Sequence, residues 1–323
     1  MSRILITGGS GFIGTNFIEK LLQEGHELCN VDVRAPALAH HRPAWRQVDI
    51  LDKPALVDAV ERFQPEWVYH LAARTDMHGA TVSDYRANTD GVSHLLAALP
   101  ASDALQRVVF ASSRLVCRIG YQPRSDTDYL PTTPYGESKV IGEKLVRGHR
   151  HGAYEWLMVR PTSIWGPWFH VPYRNFFDAI RRGHYIHPRG QRILKSFGFV
   201  GNSIHQLSRL MQAPASAVHE KMFYLADHEP IEVRQWGELI RREFAAPPIR
   251  DVPMGVMQGL AKVGDGLSAL GWKNVPLTSF RLDNLTTEML HDTDNLQAVC
   301  GDLPYTAEQG VPITVAWMKQ ASS

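Results

Sequence analysis

Three glycines set three residues apart, Gly8, Gly11 and Gly14, separate an apolar run from a helical pattern, and no other feature constrains this chain as much. Residues Arg3 to Thr7 are mostly apolar without alternation, as in a strand buried on both faces. Phe12, Ile13, Phe17, Ile18, Leu21 and Leu22 then recur at helical spacing as far as Gly25, a C-terminal stop. The glycines therefore fall where a strand turns into a helix. A dinucleotide pyrophosphate would there meet free backbone N–H groups and the positive helix end. Gly8 would allow the tight turn, Gly11 the close approach of phosphate, and Gly14 the packing of helix on strand. A second strand, Leu28 to Val31, ends in an acid, Asp32. That carboxylate can accept both ribose hydroxyls of NAD and would repel the 2′-phosphate of NADP, a preference that Arg34 softens.

The pattern continues as it began. Strands are expected near 3–7, 27–32, 46–48, 66–70, 106–112 and 155–160, and helices near 11–24, 53–63, 82–98 and 134–150. Strict alternation of this kind means right-handed crossovers and an α/β fold, a Rossmann-type doubly wound parallel sheet. Asp49 and Ile50 close the third strand, where a carboxylate could take the adenine amino group or cap the next helix. Asn88 is an unusual polar residue inside its helix, bonding a neighbouring backbone or facing solvent.

The fifth strand ends in Ser112 and Ser113. Some twenty residues later Thr133-Pro-Tyr-Gly-Glu-Ser-Lys139 opens a helix. Tyr135 and Lys139, four apart, share one helical face. A neighbouring ammonium and a nicotinamide cation would both favour the tyrosinate, making Tyr135 a general base or acid. Ser113 can hydrogen-bond the same substrate oxygen.

The 34 basic and 33 acidic residues nearly cancel, so no net field draws the chain to nucleic acid or to a membrane surface. No apolar run is long enough to span a bilayer. The N-terminus opens directly on a core strand rather than on a signal peptide. Cys29, Cys117 and Cys300 read as reduced core residues, which fits the cytoplasm. His40-His41 and His149-Arg-His151 read as solvated or packed histidines, and no metal-ligand spacing occurs.

On these residues the chain resembles the extended short-chain dehydrogenase/reductase superfamily, the NAD-dependent epimerase/dehydratase family. The resemblance rests on Thr7-Gly-Gly-Ser-Gly-Phe-Ile-Gly14, Asp32, Asp49-Ile50, His70-Leu-Ala-Ala73, Asn88, Ser112-Ser113, Tyr135-Gly-Glu-Ser-Lys139 and Arg160-Pro161. Lys195-Ser-Phe-Gly-Phe-Val200 is similar to the strand carrying a basic residue at a substrate diphosphate, and Leu303 to Trp317 to the closing segment. The resemblance implies that Gly8, Gly11, Phe12 and Ile13 line the pyrophosphate of NAD, that Asp32 holds ribose, and that Asp49 and Ile50 hold adenine. Leu71, Ala72 and Thr75 would lie along the cofactor, Lys139 would bond the nicotinamide ribose, and Pro161 would flank the nicotinamide. Ser113, Tyr135 and Lys139 would be catalytic, with Ser113, Ser163 and Lys195 on the substrate. It also implies a homodimer through the helices near 82–98 and 134–150.

Residues 1–165 and 193–226 are expected to form the NAD-binding domain, and 166–192 and 227–323 a smaller substrate-binding domain with three helices after residue 227. Trp165-Gly-Pro-Trp-Phe169 reads equally as the mouth of the substrate cleft or as a packed loop. Arg181, Arg182, His184, His187, Arg189, Arg192 and Lys195 form a basic run that a diphosphate-linked substrate would engage. Ser113-Arg114-Leu115 replaces the Thr-Asp-Glu of the sugar-nucleotide 4,6-dehydratases, which disfavours elimination of water. Cys117 and Asn202 replace a usual Tyr and a usual Asp. The first reading is 4-epimerisation of a nucleotide-linked sugar through a transient ketone. The alternative is net oxidation or reduction of a keto-sugar or a hydroxysteroid-like alcohol, because Val252 to Arg281 resembles the tails of sterol dehydrogenases. A non-catalytic dinucleotide sensor is a third reading, against which Tyr135 and Lys139 argue.

Overall fold

The structure is a computed structural model that describes residues 1–170, 173–272, 275 and 277–321. Its first half runs β1 (Arg3–Thr7), α1 (Phe12–Gln23), β2 (Glu27–Val31), β3 (Trp45–Arg46), α2 (Lys53–Phe63), β4 (Trp67–His70), α3 (Arg86–Ala98), β5 (Arg107–Ala111), α4 (Pro134–Gly148) and β6 (Glu155–Pro161). There follow β7 (Ser163–Trp165), α5 (Tyr173–Arg181), β8 (Ile186–Pro188), β9 (Leu194–Lys195), β10 (Phe197–Phe199), α6 (Val200–Gln212), α7 (Ala215–Val218) and β11 (Met222–Leu225). The chain closes with β12 (Ile231–Glu232), α8 (Val233–Phe244), β13 (Arg250–Val252), α9 (Met254–Ala269), α10 (Ser279–Thr286), α11 (Asp294–Cys300) and α12 (Ala307–Gln320). Five helices therefore follow residue 227 among the described residues, where the sequence suggested three.

Seven parallel strands form the main sheet in the order β11-β6-β5-β4-β1-β2-β3. The order reverses at β1, so the crevice where such sheets bind ligands opens at the carboxyl ends of β1 and β4. Strand β1 is buried on both faces: Ile4 and Ile6 join Phe17, Ile18 and Leu21 of α1 on one side, and Leu5 joins Val68, Val108 and Leu95 on the other. Each of those fully buried side chains contributes about 1.5–3 kcal/mol, which fixes α1 and its N-terminus over the strand end. Strand β3 pairs only at Asn30 and Val31, and it starts one residue earlier than the apolar pattern suggested. The turn Ala39–Ala44, containing Pro43, feeds it directly, and so short an edge is hard to extend with another chain. Within that turn His40 and His41 share one oxygen of Glu19, at 2.6 and 2.9 Å.

The Trp165–Phe169 turn is packed core and not a cleft mouth. Trp165 and Phe169 are fully buried, and Trp165 lies against Phe177, Phe199 and Trp236 at 5.0–6.0 Å between ring centres. Asn202 also finds its reason here. Its amide donates to Asp227 at 2.7 Å and to the Tyr305 carbonyl at 2.9 Å. An aspartate at 202 would set two carboxylates against each other, and desolvation already pushes Asp227 up to about 7 against its hydrogen bonds from Asn202 and Phe199. No helix among the described residues is long and apolar enough to cross a membrane.

Candidate active site

Gly8 holds φ at +75°, and a Cβ there would lie 2.6 Å from Ala72 in the loop after β4. A Cβ on Gly14 would strike Gly8 O and Gly9 Cα at 2.6 Å, so helix and turn touch only through hydrogen. Gly11 differs: a Cβ there would meet only Gly8 O at 3.1 Å and Arg34 at 3.9 Å. It is the N-cap of α1, and no side chain caps the helix. The open space above Gly11 and the uncapped N–H groups fit a pyrophosphate. Phe12 and Ile13 open the helix beside it, both half-buried. Asp32 is buried, and each of its oxygens accepts one backbone N–H, from Ser10 at 3.0 Å and from Arg34 at 2.9 Å. Lone pairs remain for a ribose.

Asp49 lies beyond β3 in an exposed loop, where it accepts from Leu51 N at 2.9 Å; Asp52, not Asp49, caps α2. Ile50 is buried against Gly91 of α3. Leu71 and Ala72 donate their N–H groups to the Thr7 carbonyl and hydroxyl at 3.0 and 3.3 Å, which aligns the β4 loop with β1. Thr75 is exposed further along that loop. Asn88 is buried: its side chain bonds both N and O of Arg74 and the Ser138 hydroxyl, tying this loop to α4. Pro161 ends β6, and Ser163 is buried in β7.

Thr133 caps α4 by accepting from Gly136 N, and Pro134 fits its first turn. A Cβ on Gly136 would lie 2.3 Å from Leu115 O, so the helix start is pressed on the Ser113 turn. That contact brings the Ser113 hydroxyl close enough to Tyr135 to lower its proton affinity. Lys139, one turn further, donates to Ala111 O at 3.1 Å. Burial pushes Tyr135 up to about 12, against the Ser113 hydrogen bond and the Arg114 charge. Lys139 is itself pushed down to about 8 by burial, with Glu143 opposing. The sequence suggested a tyrosine lowered by Lys139 and a nicotinamide cation together; in the chain alone desolvation outweighs every nearby charge.

Sequence reasoning missed the group behind this set. Glu143 accepts from Ser112 Oγ (2.5 Å), Arg160 (2.8 and 2.7 Å) and Tyr129 (2.9 Å). It follows Lys139 by four residues, so helical spacing already put it on the Tyr135 face. Lys195 stands apart from the expectation. It is buried, and its ammonium donates to the carbonyls of Asn284 (2.9 Å) and Thr287 near the end of α10.

A doubly wound sheet with a glycine-lined crevice and a Ser–Tyr–Lys set defines an enzyme of the extended short-chain dehydrogenase/reductase type. The model of the NAD-dependent epimerase/dehydratase family matches residues 4–225. The chain belongs to that family, and its cofactor is NAD. It is 30% identical over 255 residues to a 3-beta-hydroxysteroid dehydrogenase of Mycolicibacterium neoaurum, spanning 73% of this chain and 69% of that protein. It is 27% identical over 281 residues to the 4-hydroxy-2-methyl-3-oxo-4-farnesyl-3,4-dihydroquinoline-1-oxide ketoreductase of Stigmatella aurantiaca, spanning 82% and 80%. Its fold matches the Thermus thermophilus UDP-glucose 4-epimerase in complex with NAD over 99% of each chain, with a TM-score of 0.73 at 19% identity.

Proposed function

We propose that this protein is an NAD-dependent oxidoreductase that interconverts a secondary alcohol and a ketone on a largely apolar substrate. Lys195 carries the reading. A nucleotide diphosphate needs free cations, and the one expected there is buried and bonded to two backbone carbonyls. Two residues of the basic run before it are similarly engaged, while Arg182, His184, Arg189 and Arg192 are exposed: Arg181 pairs with Asp178 at 3.1 Å, and His187 bonds Tyr185 and the Gln191 carbonyl. Two sequence relatives named above, a hydroxysteroid dehydrogenase and a ketoreductase of a farnesylated ring, support the same class.

When bound, NAD supplies the two-electron acceptor or donor. Gly8, Gly11, Phe12 and Ile13 would hold its pyrophosphate, Asp32 its ribose, and Asp49 with Ile50 its adenine. Leu71, Ala72, Thr75, Lys139 and Pro161 would hold the remainder. Ser113 orients the substrate oxygen, and Tyr135 exchanges a proton with it. Because burial holds Tyr135 near 12, its hydroxyl keeps its proton at neutral pH and can donate to a ketone oxygen. Alcohol oxidation needs the phenolate and therefore gains with rising pH. The bond to Ala111 O keeps Lys139 beside Tyr135 in either direction.

Epimerisation of a nucleotide-linked sugar is the second reading. It uses the same proton transfer, and Arg114 and Leu115 in place of an acid and a base leave it open while disfavouring elimination. The test is to give the NAD-loaded enzyme a 3β-hydroxysteroid and UDP-glucose in turn. Accumulating NADH with the steroid is the expected result. No NADH with either, together with conversion of UDP-glucose to its 4-epimer, would overturn the proposal.

A further inference from the structure

Glu19 of α1 gathers two histidines that the sequence shows only as neighbours of each other. His40 Nε2 lies 2.6 Å and His41 Nε2 2.9 Å from the same carboxylate oxygen, Oε2. The other oxygen, Oε1, accepts from Gln23 one helical turn on at 3.1 Å, which orients the carboxylate. Lys20, the next residue, turns away to Glu24 at 2.5 Å. His40 and His41 belong to the tight turn Ala39–Ala44, a 3-10 helix in which successive side chains diverge by about 120°. Their rings nevertheless meet edge to face, 4.6 Å between centres. Glu19, His40 and His41 each offer one ligand atom, and the three atoms lie within 4.8 Å of one another.

Two imidazoles and one carboxylate around an open side are a donor set of the zinc type. His41 is buried, Glu19 half-buried and His40 exposed, so an ion can enter from the His40 side and keep water there. Zinc bonds of about 2.0–2.2 Å in a tetrahedron set the ligands about 3.3 Å apart, so each N···O distance has to open by only about 0.4–0.7 Å. The protonation states already suit a metal, which takes neutral histidine and ionised carboxylate. Burial keeps the His41 ring neutral, and the hydrogen bond from His40 holds the Glu19 carboxyl below its usual range. We propose that Glu19, His40 and His41 form a structural site for a divalent transition metal, zinc by its donors. The ion staples α1, which starts beside Gly11, to the loop that leaves Asp32 and returns as β3. Coordination moves each Nε2 proton to Nδ1 and releases none. His40 is exposed, so water takes its Nδ1 proton; His41 Nδ1 is buried with no hydrogen-bond partner among the described residues. The lack of an acceptor there costs about ten- to a hundredfold in affinity, which puts binding in the micromolar range.

The test is calorimetric titration of the full chain, freed of metal by a chelator, with Zn²⁺ and separately with Mg²⁺. A single Zn²⁺ should bind with micromolar affinity, and Mg²⁺ should not bind there, because imidazole is a poor ligand for it. His40→Ala and Glu19→Gln should each weaken Zn²⁺ binding at least tenfold. His40 is exposed, and Gln keeps the size of Glu19, so both variants should melt without metal as the wild type does. Hydrogen exchange tests the staple: Zn²⁺ should slow amide exchange across residues 33–44 in the wild type and not in His40→Ala. Zn²⁺ affinity unchanged in both variants, or Mg²⁺ binding equal to that of Zn²⁺, overturns the site. Tight Zn²⁺ binding with no slowing across 33–44 overturns its role as a staple.

Discussion

Glu143→Ala should cost the fold about 3–5 kcal/mol, the usual penalty for breaking one side of a buried ion pair. The side chains of Glu143 and Arg160 are 1% and 0% exposed. Four hydrogen bonds end on the carboxylate, from Ser112, Tyr129 and twice from Arg160. Truncation would leave Arg160 with only the Asp126 carbonyl and the Tyr224 hydroxyl, and no counter-charge. A stability of about 5–15 kcal/mol puts such a variant close to unfolding. Glu143→Gln fills the same volume and should lose less. Combining Glu143→Leu with Arg160→Met removes both charges, so its loss should be smaller than the sum of the single losses. Urea titration followed by tryptophan fluorescence measures each loss, and an unchanged slope confirms that only stability moved. The pair also reaches the active site. Glu143 raises the Lys139 pKa, so in Glu143→Gln that ammonium should titrate below its present value of about 8. The corresponding limb of the pH–rate profile should then shift to lower pH. A loss under about 1 kcal/mol in Glu143→Ala, or an additive double-mutant cycle, would refute the account of this pair as a buried network.

Asp32→Ala should weaken NAD binding and relax discrimination against NADP, because an acceptor for ribose and a repulsive charge go together. Titration with both cofactors checks this, and an unchanged preference removes Asp32 from the site. Tyr135→Phe should lower turnover about 10²–10⁴-fold with NAD affinity retained, whereas Lys139→Met should weaken both, as steady-state rates and NAD titration will tell. In the wild type, alcohol oxidation should climb toward alkaline pH, since burial holds the Tyr135 proton to about 12; a rate maximum below neutrality contradicts that. A homodimer through α3 and α4 is expected to sediment as such at micromolar protein. Val140 and Val146 are buried within the chain, so exposed Ile141 is the residue to change, and Ile141→Glu should shift the population to monomer.

The nucleotide-binding half was readable because each element carries an uninterrupted period. Arg3–Thr7, Lys53–Phe63 and Arg107–Ala111 come within a residue or so of where their apolar pattern put them. The placement of Asp32, Tyr135 and Lys139 was readable for a related reason: each lies at a fixed offset from a strand end or helix start. The later half offers no such period. Strands β9 and β12 have two residues each, too few to alternate. Helix α9 is apolar on two sides: Met257 and Ala261 face the core while Val256, Leu260 and Val263 stay exposed, which blurs the contrast a helical pattern depends on. The burial that raises Tyr135 in the chain alone was not legible, because charges can be counted along a chain and burial cannot. Lys195 failed for distance: its carbonyl partners Asn284 and Thr287 come 89 and 92 residues later.

That last failure bears on substrate choice. Seven basic residues between 181 and 195 look in sequence like a cradle for a diphosphate, and charge near a reacting sugar would be the natural inference. The fold redistributes them. Lys195 satisfies carbonyls near the end of α10, which needs cations there anyway. Arg181 joins Arg174 on Asp178 along α5, and His187 holds its own loop through Tyr185 and Gln191. These bonds fix the substrate-side segments in place and take Lys195 and Arg181 from use by a ligand, while Arg182, Arg189 and Arg192 stay exposed. This arrangement supports the proposed oxidoreductase of an apolar substrate over an enzyme that holds a diphosphate through this segment.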